Sequence, residues 1–112
     1  MINSKKKGSR GELLFVKLCK KHGYDDVRRT QQYCGNTGDA ADVTNLQGIH
    51  VEVKCVQALN LAKAMEQAVN DCKDDKMPIV AHKKDYKPWY ITMSAEDWFK
   101  LYGEWVTHNE NR

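Results

Sequence analysis

The stretch Gly38-Asp39-Ala40-Ala41-Asp42-Val43-Thr44-Asn45-Leu46-Gln47-Gly48-Ile49-His50-Val51-Glu52-Val53-Lys54 decides how this chain is read. From Ile49 onward, Ile49, Val51, Val53 and Cys55 alternate with His50, Glu52, Lys54 and Val56. That period of two marks a strand with one apolar face and one mostly polar face. Ala41–Asn45 reads as its partner strand. Leu46, Gln47 and Gly48 suit a three-residue turn, with Gly48 in the left-handed conformation such turns need. Asn45 then faces Ile49, and counting back sets Asp42 opposite Glu52, with Cβ atoms ~5 Å apart. Lys54 lies two residues beyond Glu52 and joins its face. Asp39 is a competing acid that suits the turn beside Gly38.

Two carboxylates this close repel unless something neutralises them. A bound cation does so, and hard oxygen ligands favour Mg²⁺ or Mn²⁺. Such an ion can polarise a phosphodiester and acidify a bound water, and a neighbouring lysine can orient that water or offset transition-state charge. The residues therefore suit phosphodiester hydrolysis. A Glu-x-Lys on an exposed strand is also common as a plain solvated face, and only Asp42 across the hairpin separates the two readings. His50 shares the polar face with Glu52 and could add a proton relay, although a solvated histidine is the simpler reading.

Outward from this segment, Ser9 is expected to begin a first helix that Gly23 closes, with Leu13, Leu14, Val16, Leu18 and Cys19 as its apolar stripe. Ser9-x-x-Glu12 fits a capping box, in which the glutamate bonds back to the N-cap amide. Glu12 could instead hold a metal-bound water or a second ion, and both readings stand on the residues alone. Residues 27–30 read as a short strand and 31–38 as a polar loop. Residues 60–73 read as a second helix with Leu61, Ala64, Met65, Ala68, Val69 and Cys72 inward; Gln67 could face the site, although an ordinary surface glutamine is the simpler reading. Strands follow at 79–82 and 89–93, and Ser94 caps a last helix expected to reach Tyr102. The order is α-β-β-β-α-β-β-α, a mixed α/β (α+β) chain with a central five-stranded sheet flanked by helices. One domain is expected, with residues 1–8 a basic flexible tail and 104–112 a C-terminal tail.

The chain has 112 residues, enough for one compact domain with a modest core and too few for two domains. Residues 1–34 carry nine Lys/Arg against three Asp/Glu, whereas residues 35–112 carry nine against twelve. A basic first third suits a polyanionic partner, although a solubilising terminus would look the same. Lys7, Arg10, Arg28, Arg29 and Thr30 are candidate phosphate contacts, and Tyr33 could stack on a base. Lys83, Lys84 and Lys87 form a second basic cluster, and Trp89, Trp98 and Trp105 read as core or rim aromatics. The four cysteines show no Cys-x-x-Cys spacing, so neither a zinc site nor a disulfide frame is expected. No apolar run approaches the ~20 residues of a membrane span, and an intracellular, cytoplasmic protein is expected.

Lys7-Gly8-Ser9-Arg10-Gly11-Glu12, Arg29-Thr30, Ala41-Asp42-Val43 and Val51-Glu52-Val53-Lys54 together resemble the PDDEXK nuclease superfamily. Within it, the chain is similar to archaeal-type Holliday junction resolvases and related phage resolvase-like endonucleases. The resemblance covers residues 5–93 in element order. It implies a restriction-endonuclease-like core, metal ligation by Asp42, Glu52 and the Val53 carbonyl, Lys54 as catalytic lysine and Glu12 as helix-one acid and further candidate ligand. It also implies a Mg²⁺- or Mn²⁺-dependent DNA endonuclease, acting as a homodimer on branched DNA. Ala41 stands where the superfamily has a proline. The alternatives are a duplex-directed restriction or repair nuclease with the same chemistry, and a non-catalytic basic module that binds nucleic acid without metal.

Overall fold

The computed structural model describes residues 4–30, 41–73 and 75–110, with side chains from Ser9 onward. Its described elements are α1 (Ser4–Lys21), β1 (Arg28–Arg29), β2 (Val43–Thr44), β3 (Ile49–Lys54), α2 (Leu61–Asp71), β4 (Met77–His82), β5 (Tyr90–Met93) and α3 (Ala95–Glu110). This is the expected α-β-β-β-α-β-β-α order, and the strands form one five-stranded mixed sheet ordered β1-β2-β3-β4-β5.

Neighbouring strands run antiparallel except at the centre, where β3 and β4 are parallel from Ile49↔Met77 to Lys54↔His82. A parallel pair needs a crossover, and α2 supplies it. The helix starts where Asn60 Oδ1 accepts the Lys63 N–H at 3.1 Å, a side-chain N-cap.

Alternation along β3 and β4 builds two cores on opposite faces of the sheet. Val51, Val53, Ile79 and Ala81 pack with Phe15, Val16 and Cys19 of α1. On the other face Val80 packs with Ala64 and Ala68 of α2, whose small side chains let that helix lie close. Trp89 closes the α1 side, its ring 5.2 Å from that of Phe15. Among the described residues no helix is long and apolar enough to cross a membrane.

Several boundaries differ from the sequence reading. α1 begins at Ser4, so residues 4–8 are helical where a flexible tail was expected. Lysine is a good helix former, and a lysine run without apolar periodicity gives no sign of the helix it extends. Ser9 is therefore inside α1, the capping box does not form, and Ser9 Oγ instead accepts from Arg29 Nη2 at 3.0 Å. β3 stops at Lys54, two residues short of Val56. α3 runs past Gly103 to Glu110, where a tail was expected. One interior glycine costs only ~1 kcal/mol, and the apolar stripe Trp98, Leu101, Tyr102, Trp105 continues across it. Trp98 and Trp105 thus stand exposed on this helix and join neither core nor rim.

Gly11 fixes how closely α1 approaches the sheet. A Cβ there would lie 3.0 Å from Cys55 Sγ and 3.2 Å from Cys55 Cβ. Gly11→Val is expected to cost about 1–3 kcal/mol through overpacking. Chemical denaturation checks this, with Cys55→Ala in the same chain recovering part of the loss.

Candidate active site

The β2–β3 hairpin positions the acids. Gly48 takes φ 78° and Asn45 φ 70°, and Asn45 Nδ2 donates to the Asp26 carbonyl at 2.8 Å, which ties down the turn. Both residue types tolerate the left-handed region. Val43 pairs with Val51, the register that counting from the turn predicts.

One residue further the ladder changes. The Asp42 N–H reaches the same Val51 carbonyl at 2.8 Å, so Asp42 and Val43 share one partner, the pattern of a β-bulge. Regular pairing ends there, and the Asp42 side chain takes over as acceptor: the Val53 N–H donates to its Oδ2 at 2.8 Å. On the other side, the Thr30 N–H donates to the Asp42 carbonyl at 3.1 Å. Asp42 is thereby held from both neighbouring strands. The N–H and C=O of an extended residue project toward the same neighbour, so the Val53 carbonyl is directed to the Asp42 side as well.

The polar face of β3 is not solvated. Glu52 is 2% exposed and His50 4%, because the crossover helix α2 lies over that face. His50 Nε2 lies 3.1 Å from Glu52 Oε1. The alternation of β3 could not reveal this, since a polar residue facing a helix and one facing water look alike in sequence. Lys54 Nζ donates to Gln67 Oε1 of α2 at 3.4 Å, so Gln67, while exposed, faces the site, the less simple of its two readings from sequence.

The electrostatics follow from burial. Desolvation, then the charge of Glu52, push the Asp42 carboxyl up to about 7, against the Val53 N–H bond that favours its ionised form. Burial also raises Glu52, opposed by its hydrogen bond with Asp42 and by Lys54, with Asp71 of α2 adding a like charge. Burial raises Glu12 too, opposed first by Arg29. Burial and the neighbouring charge both favour a proton on this pair, and a cation can offset the charge in its place. Lys54 acts on all three acids from within electrostatic reach.

The fold thus brings Asp42, Glu52 and Lys54 together. Glu12 stands nearby, but its Oε1 accepts from Arg29 Nε at 3.0 Å. Among the described residues no three His, Cys, Asp or Glu side chains converge on one ion position. Glu12 is therefore not a third carboxylate beside Asp42 and Glu52, and an ion here would rest on those two and a backbone carbonyl. That oxygen-only set fits a hard cation completed by water.

Arg29, expected to meet phosphate, is engaged with Glu12 and Ser9. Arg28 and Thr30 line an open groove of ≈ 940 Å³ shared with Lys73 and Lys76, two basic residues the sequence reading passed over. Arg10 is exposed on α1. The side chain of Lys7, and Tyr33, Asp39 and the 31–38 loop, lie outside the described residues. No family model, curated protein or solved structure matches the chain.

The raised Asp42 carboxyl sets a direction for stability against pH. At pH 5 the unfolded carboxyl has lost its proton, whereas the folded one keeps it until about pH 7. The folded state binds the extra proton, so stability falls as pH rises through that window. A loss of about 1–3 kcal/mol between pH 5 and pH 8 is expected in chelator, checked by denaturant midpoints. Asp42→Asn should flatten this dependence.

Proposed function

We propose that this protein is a divalent-metal-dependent DNA endonuclease, acting on branched DNA of the Holliday junction kind. The observation that carries the reading is the sheltered acid pair, Asp42 held by the Val53 N–H and Glu52 buried under α2 beside His50, each within electrostatic reach of the other and of the Lys54 ammonium. A pair of acids sheltered from water destabilises a fold unless a cation or shared proton offsets the charge, so its presence favours a site over a solvated face.

Asp42, Glu52 and the Val53 carbonyl would hold the ion. When bound, Mg²⁺ or Mn²⁺ supplies Lewis-acid polarisation of the scissile phosphate and a more acidic water. The remaining work falls to the chain. Lys54, steadied by Gln67 at 3.4 Å, presents Nζ to orient the attacking water and offset charge developing on the phosphate. His50, 3.1 Å from Glu52, fixes which way that carboxylate points. The Val53 N–H does the same for Asp42. Arg29 keeps Glu12 anchored at the edge of the site.

The element order and the Glu-x-Lys beside a hairpin acid support the PDDEXK reading. The basic first third supports a phosphate-rich substrate, and the groove lined by Arg28, Lys73 and Lys76 adds little to it, since Asp26 and Asp71 line it too. Branched DNA is favoured by the resemblance of residues 5–93 to junction resolvases, and the homodimer belongs to the same reading.

Labelled four-way junction, duplex and single-stranded DNA, each incubated with protein and Mg²⁺ or Mn²⁺, test this. Junction cutting should stop with chelator and with Glu52→Ala. It should fall about 10²–10⁴-fold with Lys54→Ala, while junction binding survives. Salt-sensitive binding that ignores Mg²⁺, with no cutting of any substrate by folded protein, would identify a non-catalytic binding module instead.

A further inference from the structure

The loop of residues 83–89, between β4 and β5, carries a cluster of charge that the proposed site does not use. Lys83, Lys84 and Lys87 are three of the nine Lys/Arg in residues 35–112, and Asp85 is one of the twelve acids there. The Lys87 N–H donates to the Lys84 carbonyl at 3.1 Å and closes a four-residue turn at the loop's tip. Lys83 Nζ donates to the same carbonyl at 3.1 Å and so braces the turn. Lys84 and Lys87 stand exposed, and among the described residues neither meets a carboxylate in an ion pair.

Tyr86 sits at the crest of that turn. Its φ is 63°, in the left-handed region, at the third turn position, where glycine or asparagine is favoured. It is 101% exposed, so its ring makes no packing contact that would offset the strain or the wetting of an aromatic face. Glycine would hold this turn better. Folding stability therefore gives no reason for an aromatic here, and a strained, exposed side chain points to a use outside the fold.

Both ends of the loop are fixed. The Lys83 N–H donates to the Lys54 carbonyl at 3.2 Å, and the Trp89 ring packs 5.2 Å from that of Phe15. Pro88 restricts the backbone between them. Because β3 and β4 are parallel, the loop leaves the sheet at the end where Lys54 lies. Lys54, His82 and Tyr90 are in register on adjacent strands and share one face, which carries the surface from the acid pair toward the loop. Three residues of chain beyond Lys83 limit the backbone distance from Lys54 to Tyr86 to about 18 Å, roughly five base steps of a nucleic-acid strand.

We propose, resting on the nuclease reading, that Tyr86 stacks on an unstacked base near the scissile phosphate while Lys84 and Lys87 hold phosphates on either side of it. A ring can stack on a base only where that base's face is free. In a continuous duplex each face is covered by the next pair, whereas a branch point or single strand leaves faces open. The ring thus selects DNA whose stack is interrupted within about five base steps of the cut. The lysines add affinity that ignores structure. The preference for branched over continuous duplex DNA then resides in this loop.

Fluorescence anisotropy with labelled four-way junction and with long duplex DNA tests this, in chelator so that nothing is cut. Tyr86→Ala should weaken junction binding about tenfold and duplex binding less than about twofold. Tyr86→Phe and Tyr86→Trp should bind the junction as the wild type does, because stacking needs the ring and not the hydroxyl. Lys84→Ala with Lys87→Ala should weaken binding to both DNAs and lower the log–log salt slope by about two. Tyr86→Gly should unfold in denaturant no earlier than the wild type. The proposal falls if Tyr86→Ala binds both DNAs as the wild type does, if it loses both equally, or if Tyr86→Gly is less stable. A wild type that binds neither DNA, with or without Mg²⁺, overturns it as well. The expected binding pattern without any Mg²⁺-dependent cutting removes the nuclease reading and keeps the stacking contact. Junction binding and cutting that Tyr86→Ala leaves unchanged do the reverse.

Discussion

The hydrogen bond from the Val53 N–H to Asp42 Oδ2 is the contact on which the site depends. It occurs because the β2–β3 ladder breaks at a bulge one residue before it would have run out of partners. A backbone donor on the central strand would otherwise face an unpaired edge, and the aspartate side chain completes the ladder in place of a carbonyl. The same bond turns the carboxylate toward Glu52 and loads the site with like charge. Stability of the sheet and tension in the site therefore share one atom pair.

Burial then decides what that charge means. An exposed acid pair on a strand would be screened, of little consequence and without any need for a partner. Glu52 is instead roofed by α2, which approaches closely because Ala64 and Ala68 carry almost no side chain. The parallel pairing of β3 with β4 requires a crossover, and the crossover becomes the roof. Topology, rather than any single motif residue, turns Glu-x-Lys from a surface pattern into a shielded cluster.

Much of this was legible from the residues, and the failures have identifiable causes. Gly48 fixed the turn, and the hairpin register followed by counting, because a period of two leaves no freedom once one residue is placed. Element order was legible for the same reason: apolar periodicity separates α1, α2 and the strands. The bulge at Asp42 was not legible, since it adds no turn residue and alters no alternation. The burial of His50 and the approach of Gln67 depend on which element covers a face, which periodicity does not encode. Arg29 looked like a free cation because its partners, Glu12 and Ser9, lie 17 and 20 residues away in the chain. The lysine-rich start of α1 and the glycine in α3 misled in the ordinary way, as local composition without a pattern.

The parallel β3–β4 ladder also sets an order of assembly. The hairpin closes over a few residues and is fast, whereas pairing Ile49 with Met77 must first close a long loop through α2. Asp42 and Glu52 accordingly meet while still bathed in water, where their repulsion is weak. The roof arrives afterwards, and with it the full electrostatic tension. Counter-ions in the folding medium thus act on the last stage of assembly, at the docking of α2, and leave hairpin formation nearly untouched.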